Sequence, residues 1–528
     1  MTRHQTFEPP ESSHAVVIGA GLGGLAAAMR LGAKGWRVTV IDRLDMPGGR
    51  ATSITADGHR FDLGPTIVTA PQVFRKLFDD CGRDFDAEVT LTPLDPFYTI
   101  RWADGSHMEA RARDEDMEAE IARLSPDDVA GWRKFLRDAE ARYEVGYEGM
   151  LTKPMHKLWE TIRVLPQFAW LRADRSILGL ARARVRDERL RMALSFHPLF
   201  IGGDPARVTS MYALVSHLEK TQGVHYAMGG VGAMANAMAN VVRDQGGSIR
   251  FRSQVDQVMQ DARGHVSGVR LTDGEVIPAD IVVSNADAGH TYRHLLRKRT
   301  RTRWTDAKLD RTRWSMGLFV WYFGTKGTRR MWPELGHHTI QSSHRYEGLL
   351  RDIFRKGHLA DDMSLYIHRP SVTDPGVAPD GDDTFYALSP VPHLGHDNPV
   401  NWSQEAERYR QKVQDTLERT VMPGLGQHLT ASMCLTPEDF RDRYLSPHGA
   451  GFSIEPRILQ SAWFRPHNVS EEIPGLFLVG AGTHPGAGLP GVVASAEVLE
   501  QVVPQARTGA RAPTARSSAA AAMTQAAE

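Results

Sequence analysis

A glycine-rich stretch near the start of the chain has the spacing of a dinucleotide-binding turn. Residues 16–24 read VVIGAGLGG, which gives the pattern G-x-G-x-x-G at Gly19, Gly21 and Gly24. In such a turn the first glycine permits a tight bend, the second lets the backbone approach a pyrophosphate, and the third lets helix and strand pack closely. The phosphates then bind at the N-terminus of a helix, where free N–H groups favour negative charge. Asp42 follows Gly19 by 23 residues, the spacing of a carboxylate that binds ribose hydroxyls.

A second glycine-rich segment, near the other end of the chain, favours FAD over NAD as the cofactor. Residues 476–491 read LFLVGAGTHPGAGLPG and repeat the order of strand and glycines. FAD is extended and needs backbone contacts along its ribityl and flavin parts as well as at the pyrophosphate. A helix that begins after Pro490 would stabilise negative charge on the reduced flavin. The turn PGGR at 47–50, soon after Arg43, adds positive charge for the phosphates.

The elements around the first motif form one βαβ unit by their hydrophobic pattern. We predict a buried strand at 15–18, a helix from about 22 to 32, and a second strand at 37–42. Long helical stretches are predicted between 109 and 222, and the last ordered strand is predicted at 476–480. The first glycine motif therefore lies between a strand and a helix, as a phosphate-binding turn requires.

A block rich in β-branched residues follows the helical region. Strands predicted at 247–252 and 265–271 lie on either side of a hairpin signal, and the apolar run at 281–284 predicts a buried strand. The final residues, 505–528, have no periodicity and predict a disordered tail.

The composition excludes several classes of function. Lys plus Arg and Asp plus Glu both number 63, so the chain has no basic field that would gather nucleic acid. Cys81 and Cys434 are far apart and in no metal-binding spacing, which indicates a reducing compartment such as the cytoplasm and predicts no metal. No stretch of about 18 uninterrupted apolar residues occurs, so we expect no transmembrane helix. A length of 528 residues predicts two or three lobes.

Several stretches along nearly the whole chain resemble those of the bacterial-type phytoene desaturases, and most closely those of purple phototrophic bacteria. The matching stretches are GAGLGG (19–24), PGGR (47–50), FDLGPTIVT (61–69), SFHPLFIGGDP (195–205), SNAD (284–287), RWSMGLFVWYFGTKGT (313–328), QSAWFRPHN (460–468) and VGAGTHPGAGLPG (479–491). The last of these is the most specific. The resemblance implies an α/β fold with a Rossmann-like FAD-binding domain, similar to that of glutathione reductase and the amine oxidases, and a helical and mixed substrate and membrane domain.

The resemblance also implies a reaction. Carbon–carbon double bonds would be introduced stepwise into phytoene, a C40 isoprenoid hydrocarbon, to give neurosporene or lycopene. Each step would move two electrons to FAD and then to a quinone or to oxygen. Desaturases of hydroxylated or methoxylated neurosporene and carotene isomerases or ketolases have similar cofactor motifs and stay open as alternatives. A flavin oxidase of amines and a non-catalytic flavin-binding or lipid-carrying protein also stay open.

An acid and an arginine in the helical region are candidates for catalysis. The resemblance maps a proposed pair near the flavin onto Glu160 and Arg163, three residues apart on one face of a predicted helix. Glu160 would accept or donate the proton of the reaction. Arg163 would keep the Glu160 carboxylate ionised or stabilise the reduced flavin. A surface ion pair is the alternative. For His197 and His225, in apolar stretches, a core histidine is favoured over a base.

A basic amphipathic stretch at 162–186 predicts contact with a membrane surface. It combines bulky apolar residues with six arginines, and Phe168 and Trp170 add interfacial aromatics. A substrate that is insoluble in water must be collected from a bilayer, which favours peripheral association with the cytoplasmic face of the inner membrane. The alternative is a pair of helices packed on the core with a solvated basic face.

The domain boundaries follow from the positions of these motifs. We assign the FAD-binding domain to 14–108, 226–304 and 441–503, and the substrate-binding and membrane-facing domain to 109–225 and 305–440. The residues predicted to bind FAD are Gly19, Gly21, Gly24, Asp42, Arg43, Gly49, Arg50, Pro65, Thr66, Val255, Gly480, Ala481, Gly482, Pro490 and Gly491.

Overall fold

The computed structural model describes residues 13–296 and 301–506. The part of the predicted tail from 507 onward lies outside these residues. The described strands are β1 (His14–Ile18), β2 (Arg37–Ile41), β3 (Ser53–Ala56), β4 (His59–Asp62), β5 (Leu91–Pro93), β6 (Tyr98–Arg101), β7 (His107–Ala110), β8 (His225–Ala227), β9 (Ser248–Arg250), β10 (Val255–Gln260), β11 (Val266–Leu271), β12 (Val276–Pro278), β13 (Ile281–Ser284), β14 (Gly317–Thr325), β15 (His338–Gln341), β16 (Leu365–His368), β17 (Asp383–Val391), β18 (Leu429–Leu435) and β19 (Leu476–Leu478).

The described α-helices alternate with these strands and with short 3₁₀ and π turns. They are α1 (Leu22–Ala33), α2 (Pro71–Asp79), α3 (Phe85–Glu88), α4 (Asp114–Leu124), α5 (Val129–Tyr143), α6 (Leu158–Trp170), α7 (Ile177–Arg184), α8 (Glu188–Ala193), α9 (Leu214–Gln222), α10 (Val231–Asp244), α11 (Ala288–His290), α12 (Asp306–Arg311), α13 (Tyr346–Arg351), α14 (Trp402–Thr420), α15 (Pro437–Tyr444) and α16 (Leu489–Val502). No helix within the described ranges combines the length and the apolar character needed to cross a membrane.

A parallel five-stranded sheet carries the first glycine motif. Its strand order is β19-β13-β1-β2-β9, and every neighbouring pair runs parallel. The alanine-rich helix α1 packs between α10 and α16 on one face of this sheet, which buries β1 completely. Such continuous burial is typical of parallel strands covered on both faces. The predicted βαβ unit and the Rossmann-like α/β fold are therefore confirmed.

A second, seven-stranded sheet has the strand order β18-β14-β17-β16-β15-β6-β7. Strand β14, which pairs with β18 and β17, is buried along its whole length because both of its faces are covered. Phe319, Trp321 and Phe323 belong to the core that includes α14, with ring centroids of Phe319 and Tyr409 5.0 Å apart. The residues of β14 that alternate with these three, Leu318, Val320 and Tyr322, point to the opposite face of the sheet. There they line the cavity described below.

One prediction about the strands differs from the structure. The strand predicted at 247–252 is the shorter β9, which pairs with β2 in the parallel sheet, so it is no hairpin partner of β11. That partner is β10, antiparallel to β11, and β12 completes a small three-stranded sheet. β6 and β7 lie within the first segment assigned to the FAD-binding domain, but β6 pairs with β15 in the seven-stranded sheet. The five parallel strands all lie in the three assigned segments.

Candidate active site

A large cavity lies between the two sheets at the glycine motifs. Its volume is about 660 Å³, and its lining is mainly apolar. Residues after β1, β2, β13 and β19 line one part of it, and residues of β14, β16, β17, α6 and α9 line the rest. Ligands of open parallel sheets bind outside the carboxyl ends of the strands, where this cavity lies.

The turn between β1 and α1 has the geometry that its glycines predict. Gly19 has a φ of +97°, a conformation that side chains rarely adopt, and it lines the cavity together with Gly21. A Cβ at Gly24 would lie 2.0 Å from the carbonyl oxygen of Gly19, so only glycine allows this approach of helix to strand. Gly24 is not among the described residues that line the cavity. Its role is the packing of α1 on β1.

The Asn285 side chain lies between the two glycine segments, although the sequence did not single it out as a site residue. It follows β13, lines the cavity, and lies beside glycines from both motifs. A Cβ at Gly21 would lie 2.8 Å from its Nδ2, and Cβ atoms at Gly23 and Gly480 would lie 2.7 Å and 2.5 Å from its Oδ1. The SNAD stretch of the resemblance was the signal that contained it.

Asp42 lies at the carboxyl end of β2, where a ribose-binding acid is expected. Its Oδ2 accepts a hydrogen bond from the N–H of Ala20 at 2.6 Å, and its Oδ1 accepts one from Leu44 at 2.7 Å. Burial raises the pKa of the Asp42 carboxyl, and these N–H donors oppose the rise. The carboxylate is therefore fixed at the wall of the cavity, and each oxygen keeps a second lone pair for hydroxyl groups.

The two arginines assigned to the cofactor have different surroundings. The Arg43 guanidinium donates hydrogen bonds to the carbonyl oxygens of Asp442 and Arg443, at 2.7 Å and 2.6 Å, so it is engaged at the end of α15. The Arg50 guanidinium donates to Ser446 Oγ, and its buried Nε has no hydrogen-bond partner among the described residues. Burial lowers the pKa of Arg50. Its free N–H group makes Arg50 the better candidate for a ligand contact.

The second glycine motif lines the cavity with the N-terminus of α16. Gly480 has a φ of +95°, and its N–H donates to Ser495 Oγ at 2.8 Å. α16 begins after Gly488, which has no side chain to cap the free N–H groups of the first turn. Of the predicted residues, Gly480, Ala481, Pro490 and Gly491 line the cavity. Gly482 is not among the described lining residues, and a Cβ there would lie 3.0 Å from that of Ala288.

The remaining predicted cofactor residues also line the cavity. They are Gly49, Pro65, Thr66 and Val255. Thr66 Oγ1 lies 2.8 Å from the hydroxyl of Tyr366 and 3.0 Å from that of Tyr386. These two tyrosines come from β16 and β17, so the hydrogen bonds fasten the seven-stranded sheet to the loop after β4.

The structure does not bring Glu160 and Arg163 to the cavity. Glu160 Oε2 accepts a hydrogen bond from the backbone N–H of Lys157 at 2.8 Å, at the N-terminus of α6. Arg163 is exposed, and neither residue is among the described residues that line the cavity. Thr161, Val164, Leu165 and Phe168 of the same helix do line it. The catalytic role of the pair stays a prediction that this placement does not favour, because neither side chain reaches the reaction space.

A buried polar cluster lines the apolar part of the cavity instead. Glu219 Oε2 accepts a hydrogen bond from the hydroxyl of Tyr98 at 2.9 Å, and it lies 3.1 Å from Nε2 of His197. His197 and Glu219 line the cavity and are 5% and 4% exposed. His197 was predicted as a core histidine; it is buried, but it lines the cavity and its Nδ1 has no hydrogen-bond partner among the described residues. Its neighbour Glu219 was missed because nothing in the sequence links residues 98, 197 and 219. His225, also considered, lies on β8 and is half-buried.

The basic stretch at 162–186 divides into two different helices. No residue of α6 in the described chain is buried, and its exposed apolar side chains are Leu158, Trp159, Ile162, Leu165 and Trp170. α7, in contrast, buries four residues in the core. Arg184 pairs with Asp138 at 2.6 Å, and Arg182 pairs with Glu347. The exposed apolar face is therefore α6 alone, and the arginines of α7 are engaged in ion pairs.

The cavity fits a flavin dinucleotide by the chemistry of its lining. It offers two uncapped helix N-termini for phosphate or reduced-flavin charge, a fixed carboxylate for ribose, and the buried, unpartnered Nε of Arg50. The sequence matches the family described as flavin containing amine oxidoreductase over residues 22–497. It is 66% identical to the neurosporene-forming phytoene desaturase of Cereibacter sphaeroides, over 94% of this chain and 95% of that protein. The chain belongs to the phytoene desaturases of this flavoprotein family.

Further relatives agree with this membership, and a solved structure has the same fold. The neurosporene-forming phytoene desaturase of Rhodobacter capsulatus is 64% identical, over 93% of this chain and 94% of that protein. The lycopene-forming phytoene desaturase of a Paracoccus species is 40% identical, over 94% of this chain and 98% of that protein. The crystal structure of an oxidoreductase from Methanosarcina mazei has a TM-score of 0.63 at 17% identity, covering 92% of this chain and all 100% of that one, and thus the same fold. For this desaturase family member, the predicted resemblance, FAD cofactor and oxidoreductase class are confirmed.

Proposed function

We propose that this chain converts phytoene to neurosporene through successive two-electron dehydrogenations with FAD. The observation that carries the proposal is that one cavity is lined both by the glycine turns with Asp42 and by an apolar wall from β14, β16 and β17. A C40 hydrocarbon has no polar group to recognise, so its binding depends on apolar surface and shape. The neurosporene-forming relatives favour that product over lycopene.

The wall of the cavity supports the chemistry of desaturation. When bound, FAD supplies the acceptor for the hydride that leaves the substrate. The rings of Phe196 and Phe200 lie 5.3 Å apart, and those of Phe200 and Tyr366 lie 5.7 Å apart, so they line the cavity as a continuous aromatic surface. This surface excludes water, and the negative faces of the rings stabilise positive charge that develops on the substrate.

Glu219 is the candidate for the group that accepts the proton. Its Oε2 is held by the Tyr98 hydroxyl and lies beside His197, while its buried Oε1 has no hydrogen-bond partner among the described residues. A carboxylate fixed at the wall of an apolar cavity can take a proton at that free oxygen. His197 and Tyr98 act as positioning residues, because they contact only the other oxygen.

A membrane surface is the proposed source of the hydrocarbon. The apolar side chains of α6 are exposed on one side, while Val164 and Phe168 of the same helix line the cavity. A helix in this position can insert its exposed apolar face among lipid headgroups and connect the bilayer with the cavity. We propose peripheral binding to the cytoplasmic face of the inner membrane through α6.

The test is turnover of phytoene in liposomes by the purified full chain, with FAD and either a quinone or oxygen as the electron acceptor. Products with the absorbance and retention of neurosporene would support the proposal. Unchanged phytoene, with a hydroxylated or methoxylated neurosporene converted instead, would assign the chain to a later desaturation. If neither compound reacted although FAD was bound, the proposed function would be wrong.

A pair of matched variants separates the two candidates for the proton acceptor. We expect Glu219→Gln to lower the rate of product formation by about 100-fold or more, since general base catalysis contributes on that order. We expect Glu160→Gln to retain the rate, because its carboxylate caps α6 outside the cavity. The opposite result would restore the prediction for Glu160 and refute the assignment of Glu219.

A further inference from the structure

Three histidines meet in the seven-stranded sheet, outside the described lining of the cavity. His337 immediately precedes β15, His338 begins it, and His368 ends β16, where the antiparallel register sets His338 opposite His368. One ring nitrogen of each residue lies within 4.8 Å of one ring nitrogen of the others. All three are buried, with exposed fractions of 7%, 1% and 1%. No metal-binding pattern is visible in the sequence here, because His368 lies 30 positions after His338.

The outer nitrogens of two of these rings are held by hydroxyl groups. His337 Nδ1 lies 2.6 Å from Thr373 Oγ1, and His338 Nδ1 lies 2.7 Å from the hydroxyl of Tyr366. Histidines that bind metals use one ring nitrogen for the ion and engage the other with a neighbour of this kind, which fixes the ring orientation. The nitrogens left for an ion on these two rings are Nε2 of His337 and Nε2 of His338.

The inner nitrogens are not satisfied by the protein alone. His368 Nε2 lies 3.1 Å from His337 Nε2, so one N–H can be shared between them. His338 Nε2 is buried and has no hydrogen-bond partner in the part of the chain that the structure describes. An unpaired buried polar group of this kind destabilises a fold. An ion coordinated by the inner nitrogens would remove that cost.

Aromatic rings pack against the histidine cluster. The ring of Tyr226 packs on His337 with centroids 4.6 Å apart. Burial raises the pKa of Tyr226, the carboxyl groups of Asp62 and Asp374 raise it further, and Arg60 opposes the rise, so charges of both signs lie in this region.

We propose that His337, His338 and His368 form a binding site for one divalent transition metal ion, with Zn²⁺ as the expected ion. Three imidazole nitrogens without thiolate are a ligand set that zinc uses, with a further position left for water. The ion would fix the three histidine rings relative to one another in the substrate lobe. It would orient Tyr366 through His338, and the Tyr366 hydroxyl in turn contacts Thr66 at 2.8 Å in the cavity wall.

Metal analysis of the full-length, FAD-loaded protein tests this site without reference to desaturation. We expect about one zinc ion per chain in protein purified without chelators, and a visible ligand-field spectrum after chelator treatment and addition of Co²⁺. His368→Gln should lose the bound metal and the Co²⁺ spectrum. Tyr366→Phe should weaken metal binding by about 10-fold or more without removing it, since it takes away an outer partner.

His225→Gln is the matched control, because His225 is a half-buried histidine on β8 outside the cluster. It should keep the metal content of the unaltered chain. The FAD content of each variant reports whether it folds. If the unaltered chain carries no metal and gives no Co²⁺ spectrum, or if His368→Gln binds Co²⁺ as tightly as the unaltered chain, the proposal is wrong. Neither result depends on which carotenoid the protein converts.

Discussion

Removal of the exposed apolar side chains of α6 is expected to release the protein from lipid vesicles. Trp159 and Ile162 are 54% and 52% exposed on this helix, and neither lines the cavity among the described residues. Full burial of a large apolar side chain contributes about 1.5 to 3 kcal/mol, so the exposed half of each would contribute about 1 kcal/mol on entering lipid. The double change Trp159→Ser and Ile162→Ser should therefore cost about 2 kcal/mol.

That energy corresponds to a vesicle partition coefficient lower by about 30-fold, since about 1.4 kcal/mol is a factor of ten. The assay is co-sedimentation of the FAD-loaded protein with vesicles of phosphatidylglycerol and phosphatidylethanolamine, over a range of lipid concentrations. Val276→Ser is the matched control, because Val276 is 51% exposed on β12, away from α6. The reasoning fails if the double variant binds vesicles as tightly as the unaltered chain, or if Val276→Ser reduces binding to the same extent.

Three further predictions concern the cofactor, the proton acceptor and stability. Gly24→Ala should abolish FAD retention, measured as the ratio of flavin to protein absorbance, because the new Cβ would lie 2.0 Å from the Gly19 carbonyl oxygen. Tyr98→Phe should lower the rate of phytoene conversion by about 10-fold and leave FAD content unchanged, since it removes one hydrogen bond to Glu219 Oε2, worth about 1 to 1.5 kcal/mol. Burial raises the pKa of Glu455 from 4.5 to about 7, so the folded state loses stability as the pH rises through that window. Glu455→Gln should therefore raise the free energy of unfolding at about pH 8, by up to about 3 kcal/mol, and have little such effect at about pH 4.

Each of these predictions has an outcome that contradicts it. A flavin-loaded Gly24→Ala protein would mean that α1 can shift away from β1. An unchanged rate for Tyr98→Phe would mean that Glu219 needs no fixed orientation. Denaturant unfolding of Glu455→Gln that shifts equally at both pH values would mean that the carboxyl group of Glu455 is ionised to the same degree in the folded and unfolded states.

The cofactor turn was predictable because all of its signals are local. The strand, the glycines, the helix and Asp42 follow one another within about thirty residues, and each has a conformational reason for its position. The role of Arg43 was less accessible, because its guanidinium contacts carbonyl groups at 442 and 443, nearly 400 residues away in sequence. Likewise, the sequence predicts β9 as half of a hairpin, because no nearby residue indicates that β9 pairs in parallel with the distant β2.

The substrate part of the site depended on tertiary structure. Tyr98 reaches His197 and Glu219 only because β6 joins a sheet made mostly of residues beyond 316. Apolar residues at 162–186 indicated an amphipathic segment, but the sequence did not distinguish the exposed α6 from the packed α7. That difference arises because α7 buries Ile177 and Leu180 in the core and α6 buries no residue of the described chain.

The order of strands in the parallel sheet has a consequence for the biogenesis of the protein. β19, beside β13, is the last strand of the described chain to be synthesised. The helix after it, α16, packs on α1, which lies more than 450 residues earlier in the sequence. A nascent chain still lacking these elements has the first glycine turn but only part of the flavin-binding wall. Flavin should therefore be retained only by chains that include β19 and α16, and a truncation that ends before residue 476 should be colourless. The pairing of β19 with β13 would thus act as a check that the distant parts of the parallel sheet have met.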